Sequence, residues 1–214
     1  VSSELSVNSA AESLRGCGGL YAIVNNAGTG FAHGTGGEEL LNVNIFGAKR
    51  VVDAFLPLLS EGSRIVNVGS GAGPSYVSKQ SLELQKLLCS PDITWQQLEE
   101  ILANGLQDDS SGGYGLSKAC LASYSMLLAR ELPHIRTFCL TPGFIDTAIV
   151  RGWGATKPPE EGTVSLRHCL FADLPETSSG WFFGSDAVRS PLHFMRNPGE
   201  PAFDGQFPWE QQLL

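Results

Sequence analysis

Basic residues are scarce in this sequence. Its 214 residues include 14 Lys and Arg against 22 Asp and Glu, which gives a formal net charge of −8 and a pI near 4.9. No run of Lys or Arg interrupts this acidic excess. Because such a chain repels a polyanionic phosphate backbone, the composition argues against nucleic-acid binding.

Cysteines are also few, and long apolar stretches are absent. The cysteines are odd in number and form no C-x-x-C pair, which argues against a zinc site and a disulfide framework. We therefore expect free, buried thiols at Cys17, Cys89, Cys120, Cys139 and Cys169. Every apolar stretch is shorter than the ~20 residues that span a bilayer, so we expect a soluble, cytoplasmic protein.

Short apolar runs alternate with longer amphipathic segments along the chain. This alternation predicts an α/β fold in one domain, with a parallel sheet covered by helices. The predicted strands are residues 20–24, 64–68, 135–140 and 181–183. The predicted helices are residues 9–15, 38–59, 117–132 and 159–171, the last opening at Pro158-Pro159.

Two of the predicted strands end in small or polar residues. The motif Asn25-Asn26-Ala27-Gly28 follows the first strand, and the second strand ends at Ser70. Ligands bind at the carboxyl ends of strands in open α/β sheets, where small residues let a ribose or phosphate approach the backbone. Taken singly, the first motif is equally a turn, and Ser70 is better explained as a turn or helix-capping residue.

Tyr114 and Lys118 lie four residues apart, so a helix would place them on one face. Tyr is a poor acid or base at neutral pH until a nearby cation stabilises the phenolate. A fourth motif, Thr141-Pro142-Gly143-Phe144-Ile145-Asp146-Thr147, follows the third predicted strand and alone is equally a Pro-Gly turn.

In this order, the motifs resemble the short-chain dehydrogenase/reductase family over about residues 22–147. The resemblance implies a Rossmann-like, doubly wound parallel sheet and an oxidoreductase. It also implies that Ser70 positions a substrate carbonyl, that Tyr114 gives or takes the proton, and that Lys118 lowers the Tyr pKa. Asn44 matches a helix asparagine that completes a proton relay, with a buried packing amide as the alternative.

The same resemblance implies a nicotinamide cofactor, NADP, with NAD as the alternative, and no metal. On the adenosine side it implies contacts from Asn26, Ala27 and Gly28. On the nicotinamide side it implies contacts from Tyr114, Lys118, Pro142, Gly143, Ile145 and Thr147.

Residues 71–113 form a long segment between Ser70 and Tyr114, and we interpret them as a helical insertion. Helices are predicted at 82–88 and 95–106, the second opened by a capping box of Thr94 and Gln97. Such an insertion resembles the monomeric carbonyl reductases, which reduce aldehydes, ketones and quinones with NADPH. We therefore expect a monomer acting on a small carbonyl compound; oxidation of an alcohol, sugar or steroid is the alternative.

The family's glycine-rich turn and its residue that selects NAD or NADP have no counterpart here, since Gly16-Cys17-Gly18-Gly19 precedes the first strand. That strand is then expected to be an unpaired edge. The chain is accordingly either a piece of an active reductase or an inactive fragment that binds partners through this edge. Residues 148–156, with Trp153, and a C-terminal lid or tail at 190–214 are expected near the substrate pocket.

Overall fold

The computed structural model describes residues 1–30, 34–108, 113–150 and 152–210. Within these residues a five-stranded sheet has the order β1-β2-β3-β4-β5, parallel except for β5, which is antiparallel to β4. The strands are β1 (Leu20–Asn25), β2 (Leu59–Val68), β3 (Arg136–Leu140), β4 (Phe182–Phe183) and β5 (Arg189–Ser190). The predicted α/β fold with a parallel sheet is confirmed.

Eight α-helices are described in the same ranges. They are α1 (Glu4–Ser13), α2 (Gly37–Leu41), α3 (Gly47–Phe55), α4 (Ala72–Val77), α5 (Leu82–Leu88), α6 (Trp95–Asp108), α7 (Tyr114–Glu131) and α8 (Val164–Phe171). A π-helical turn, Asn42–Phe46, joins α2 to α3, and a 3₁₀ turn, Leu56–Leu58, follows α3. The predicted helix 38–59 is therefore one helical path with a widened turn in its middle.

Three predicted helix starts are wrong. The helix predicted from residue 117 begins at Tyr114, and the other two starts differ for local reasons. The first helix begins at Glu4 rather than residue 9, because the Ser3 side chain caps it by accepting a hydrogen bond from the Ser6 N–H. The last helix begins only at Val164, because the residues after Pro158-Pro159 form 3₁₀-type hydrogen bonds first.

Helix α7 is buried on almost every side and organises the core. It packs against β3, α4 and α6, with Leu116, Leu121 and Leu127 inaccessible to solvent. The helices predicted at 82–88 and 95–106 are confirmed, and so is the capping box: Gln97 N–H donates to Thr94 Oγ1 at 3.3 Å. That residues 71–113 are an insertion stays a prediction.

Strand β1 has one neighbour, β2, among the described residues, so it forms an edge of the sheet, and its Tyr21 and Val24 side chains are exposed. Four of the five cysteines are buried and free as expected, whereas Cys17 is free but exposed. Across the part of the chain that the structure describes, no helix is both long and apolar enough to cross a membrane.

Candidate active site

A cavity of about 710 Å³ lies at the carboxyl edge of the parallel sheet, where the loops after β1, β2 and β3 meet the first turns of α7. This is the position that the chain order of the motifs predicts for a ligand site. Its lining includes these sequence-predicted residues: Asn26, Ala27, Gly28, Ser70, Tyr114, Lys118, Pro142, Gly143, Ile145 and Thr147. Asn44 is not among the lining residues.

Tyr114 is the first residue of α7 and directly follows Gly113. Gly113 has a φ of 95°, a conformation that glycine adopts with little strain because it has no Cβ. Burial raises the pKa of the Tyr114 phenol, and hydrogen bonding with the nearby Ser70 side chain opposes that rise. The phenol therefore keeps its proton at neutral pH.

Lys118 lies one helical turn further along α7 and is 6% exposed. Its Nζ donates a hydrogen bond to the Val68 carbonyl oxygen at 2.9 Å and lies 5.8 Å from the centroid of the Tyr114 ring. Burial lowers the pKa of the Lys118 ammonium to about 8, and the nearby Cys139 thiol opposes this. The net rise in the Tyr114 pKa is opposite in direction to the lowering that the family resemblance assigns to Lys118.

Asn44 lies in the π-helical turn behind the cavity floor and is 1% exposed. Its Oδ1 accepts a hydrogen bond from Thr29 N–H at 2.8 Å, and its Nδ2 donates to Thr29 O at 3.0 Å and to Ser117 Oγ at 3.2 Å. The amide thus ties the loop after β1 to α7, and π-turns of this kind are frequent at functional sites.

Gly28 separates Asn44 from Lys118. A Cβ built on Gly28 would lie 3.4 Å from Asn44 Oδ1 and 3.6 Å from Lys118 Nζ. The missing side chain keeps the space between the amide and the ammonium open, and of these two polar groups only Lys118 lines the cavity.

The cavity lining also has an apolar part. It includes Phe144, Ile149 and Trp153, and Trp153 is 61% exposed. The sequence indicated Trp153 but gave no signal for Leu166 of α8, which reaches the same cavity. None of the described residues between 190 and 210 lines it.

The chain is similar to known proteins in sequence and in fold. No protein-family model matches the chain. The chain is 32% identical to salutaridine reductase of Papaver bracteatum over 161 residues, 68% of this chain and 51% of that protein. It is 31% identical to carbonyl reductase (NADPH) 1 of Mus musculus over 171 residues, 70% of this chain and 61% of that protein.

Among solved structures, salutaridine reductase from Papaver somniferum aligns with a TM-score of 0.71 and 26% identity, covering 84% of this chain and 78% of that one. The chain spans about half the length of several curated relatives that it matches, 51% of two salutaridine reductases and 55% of a neomenthol dehydrogenase.

Proposed function

Because the chain belongs to the short-chain dehydrogenase/reductase family, we propose that it carries the catalytic residues of an NADPH-dependent reductase of aldehydes, ketones or quinones. One observation carries this proposal: Tyr114, Ser70 and the buried Lys118 line one large cavity together. A carbonyl oxygen bound in this cavity could accept hydrogen bonds from both hydroxyls.

In this mechanism Tyr114 is the proton donor. Its raised pKa keeps the phenol protonated at neutral pH, which suits the reductive direction, in which the carbonyl oxygen must receive a proton. The Ser70 hydroxyl donates a hydrogen bond to the same oxygen and holds it against the phenol. Once the proton has moved, the positive charge of Lys118 stabilises the phenolate that Tyr114 becomes.

The cavity fits a nicotinamide nucleotide on two grounds. Its floor at Gly28 has no side chain that would fill the space between Asn44 and Lys118, and its rim consists of small residues at the strand ends. Bound NADPH would supply the hydride. We propose that Asn26, Ala27 and Gly28 contact its adenosine side, and that Pro142, Gly143, Ile145 and Thr147 contact its nicotinamide side.

The first test is a calorimetric titration of the chain with NADPH and with NADH, followed by NADPH oxidation assayed with menadione as the carbonyl probe. We expect saturable NADPH binding and turnover. Tyr114→Phe should abolish turnover while sparing nucleotide binding, because only the proton donor is lost. Tyr21→Phe makes the same chemical change on exposed β1 and serves as the control; equal loss in both variants, or turnover in Tyr114→Phe, contradicts the proposal.

A second candidate function rests on β1, which is paired on one side only within the described residues. An edge strand of this kind can bind a strand of another chain without catalysis. Failure of both nucleotides to bind, together with concentration-dependent association in sedimentation, would favour this candidate over the reductase.

We propose that the active protein is a monomer. Helix α6 packs against α7, with the centroids of the Trp95 and Tyr124 rings 5.3 Å apart in an edge-to-face contact, so this face of α7 is already covered and not available to a partner subunit. Light scattering should report the mass of one chain, and a stable tetramer would contradict the interpretation.

A further inference from the structure

A second cavity, of about 400 Å³, shares no lining residue with the first. Ala122, Met126 and Ala129 form one wall on the C-terminal half of α7, and Phe182 and Phe207 lie in other walls. Its volume is within the range of small-molecule sites, about 300–1,000 Å³, and such sites combine apolar walls with a few polar groups.

Arg189 of β5 lines this cavity, and its guanidinium N–H groups are available to a ligand. Its guanidinium carbon lies 4.1 Å from the centroid of the Trp181 ring and 5.2 Å from that of Phe203, and both rings also line the cavity. Across residues 1–30, 34–108, 113–150 and 152–210, its guanidinium makes no hydrogen bond or ion pair. Arg130, in the same cavity, differs because it donates to the carbonyls of residues 91 and 93.

We propose that this second cavity binds a small aromatic monocarboxylate through Arg189. A guanidinium presents a planar fork of N–H donors that matches a carboxylate, and the flanking aromatic faces hold that fork in place. The walls formed by Met126, Phe182 and Phe207 suit a planar apolar body. The nearby Asp204 carboxylate and the net charge of −8 disfavour a dianion such as a phosphate ester.

The test uses 2-naphthoate and its uncharged analogue 2-naphthamide in calorimetric titrations of the chain. We expect 2-naphthoate to bind at one site and 2-naphthamide to bind about tenfold more weakly, because the amide lacks the charge-assisted hydrogen bonds. Arg189→Met should weaken 2-naphthoate binding by a similar factor and leave 2-naphthamide binding unchanged. Arg15→Met removes an equal charge at an exposed position and should change neither.

A second variant locates the site independently of charge. Ala129→Leu adds volume at a half-buried position in the cavity wall and should reduce the binding of both ligands. A crystal soaked with 6-bromo-2-naphthoate should place the bromine between α7 and β5. The proposal is overturned if 2-naphthoate does not bind, if Arg189→Met binds it as the parent does, or if the bromine lies in the first cavity. These outcomes do not depend on reductase activity.

Discussion

The substitution Lys118→Met should change the free energy of unfolding, relative to the parent, more favourably at neutral pH than at alkaline pH. Burial lowers the pKa of Lys118 to about 8 from an ordinary value of 10.5, so folding disfavours the charged form. At about 1.4 kcal/mol per pKa unit, the folded state loses about 3 kcal/mol of stability near pH 7 by holding this ammonium. Met fills a similar volume without a charge.

The substitution has two effects on stability, the removal of a buried charge and the loss of the hydrogen bond from Lys118 to the Val68 carbonyl, and their pH dependence separates them. A lysine whose folded pKa lies below its unfolded pKa destabilises the fold fully at pH values below about 8. Above that value the folded chain has lost the proton while the unfolded chain still holds it, so the destabilisation fades and vanishes above the ordinary pKa of 10.5. The substitution also deprives the Val68 carbonyl of its donor, which costs about 1–3 kcal/mol. Because the cost of the lost hydrogen bond varies little with pH, it changes the difference in unfolding free energy between variant and parent by the same amount at every pH.

The assay is urea denaturation of both chains between about pH 7 and about pH 10. The free energy of unfolding of Lys118→Met minus that of the parent should fall by about 2 kcal/mol across this range. Lys79→Met, at an exposed lysine whose ammonium is hydrated in both states, should show a constant difference. A difference for Lys118→Met that is equally constant would refute the claim that this ammonium is desolvated.

Three further predictions concern groups around the site and the sheet. Asn44→Ala should cost about 2–4 kcal/mol in unfolding free energy, because it removes two hydrogen bonds to the backbone of the loop after β1 and one to Ser117 Oγ. Gly69→Ala should cost about 1–3 kcal/mol, since the new Cβ would lie 2.8 Å from Cys139 Sγ and must displace it. Arg196→Met should cost about 3–5 kcal/mol, because it removes the ion pair with Asp186 and the hydrogen bonds that the buried guanidinium donates to Ser190 Oγ and the Glu200 carbonyl oxygen. Urea denaturation measures all three.

Matched controls for these variants lie where the structure gives the side chain little to contact. Asn8→Ala is exposed on α1, Arg15→Met is exposed beside Glu12, and a Cβ at Gly16 meets nothing within 4 Å. Each control should stay within about 1 kcal/mol of the parent. An internal variant that costs no more than its control would contradict the contact assigned to it.

The sequence predicted the central strands because buried parallel strands are nearly continuous apolar runs. It missed the first half of β2, where Ser60, Glu61 and Gly62 interrupt the apolar pattern while Ser63 donates a hydrogen bond to the Leu20 carbonyl of β1. It also missed β5, a two-residue strand formed by Arg189 and Ser190. Both segments are strands because of pairing with a neighbour, which leaves no periodic signal in the chain.

The candidate site also combines features that the sequence predicted with features that it could not predict. Residue type and order indicated Ser70, Tyr114 and Lys118, because strand ends and a single helix turn bring them together in any sheet of this topology. The direction of the Tyr114 pKa could not be predicted, since it depends on how deeply the phenol is buried. Helix α4 was missed because Gly73 and Pro74 usually indicate a turn, although Pro is tolerated in the first turn of a helix.

Apolar packing alone does not explain how the site keeps its geometry, because hydrophobic contacts are non-directional and tolerate sliding of one element over another. A buried chain of hydrogen bonds supplies direction: Asn25 Nδ2 donates to Asn67 Oδ1 at 2.8 Å, and Asn67 Nδ2 donates to Ser125 Oγ at 2.8 Å. These bonds join β1 to β2 and β2 to α7, and a slip along α7 would leave buried polar groups without partners. Since Ser125 and Tyr114 lie on one helix, these hydrogen bonds also fix Tyr114 relative to the strand ends that carry the rest of the site.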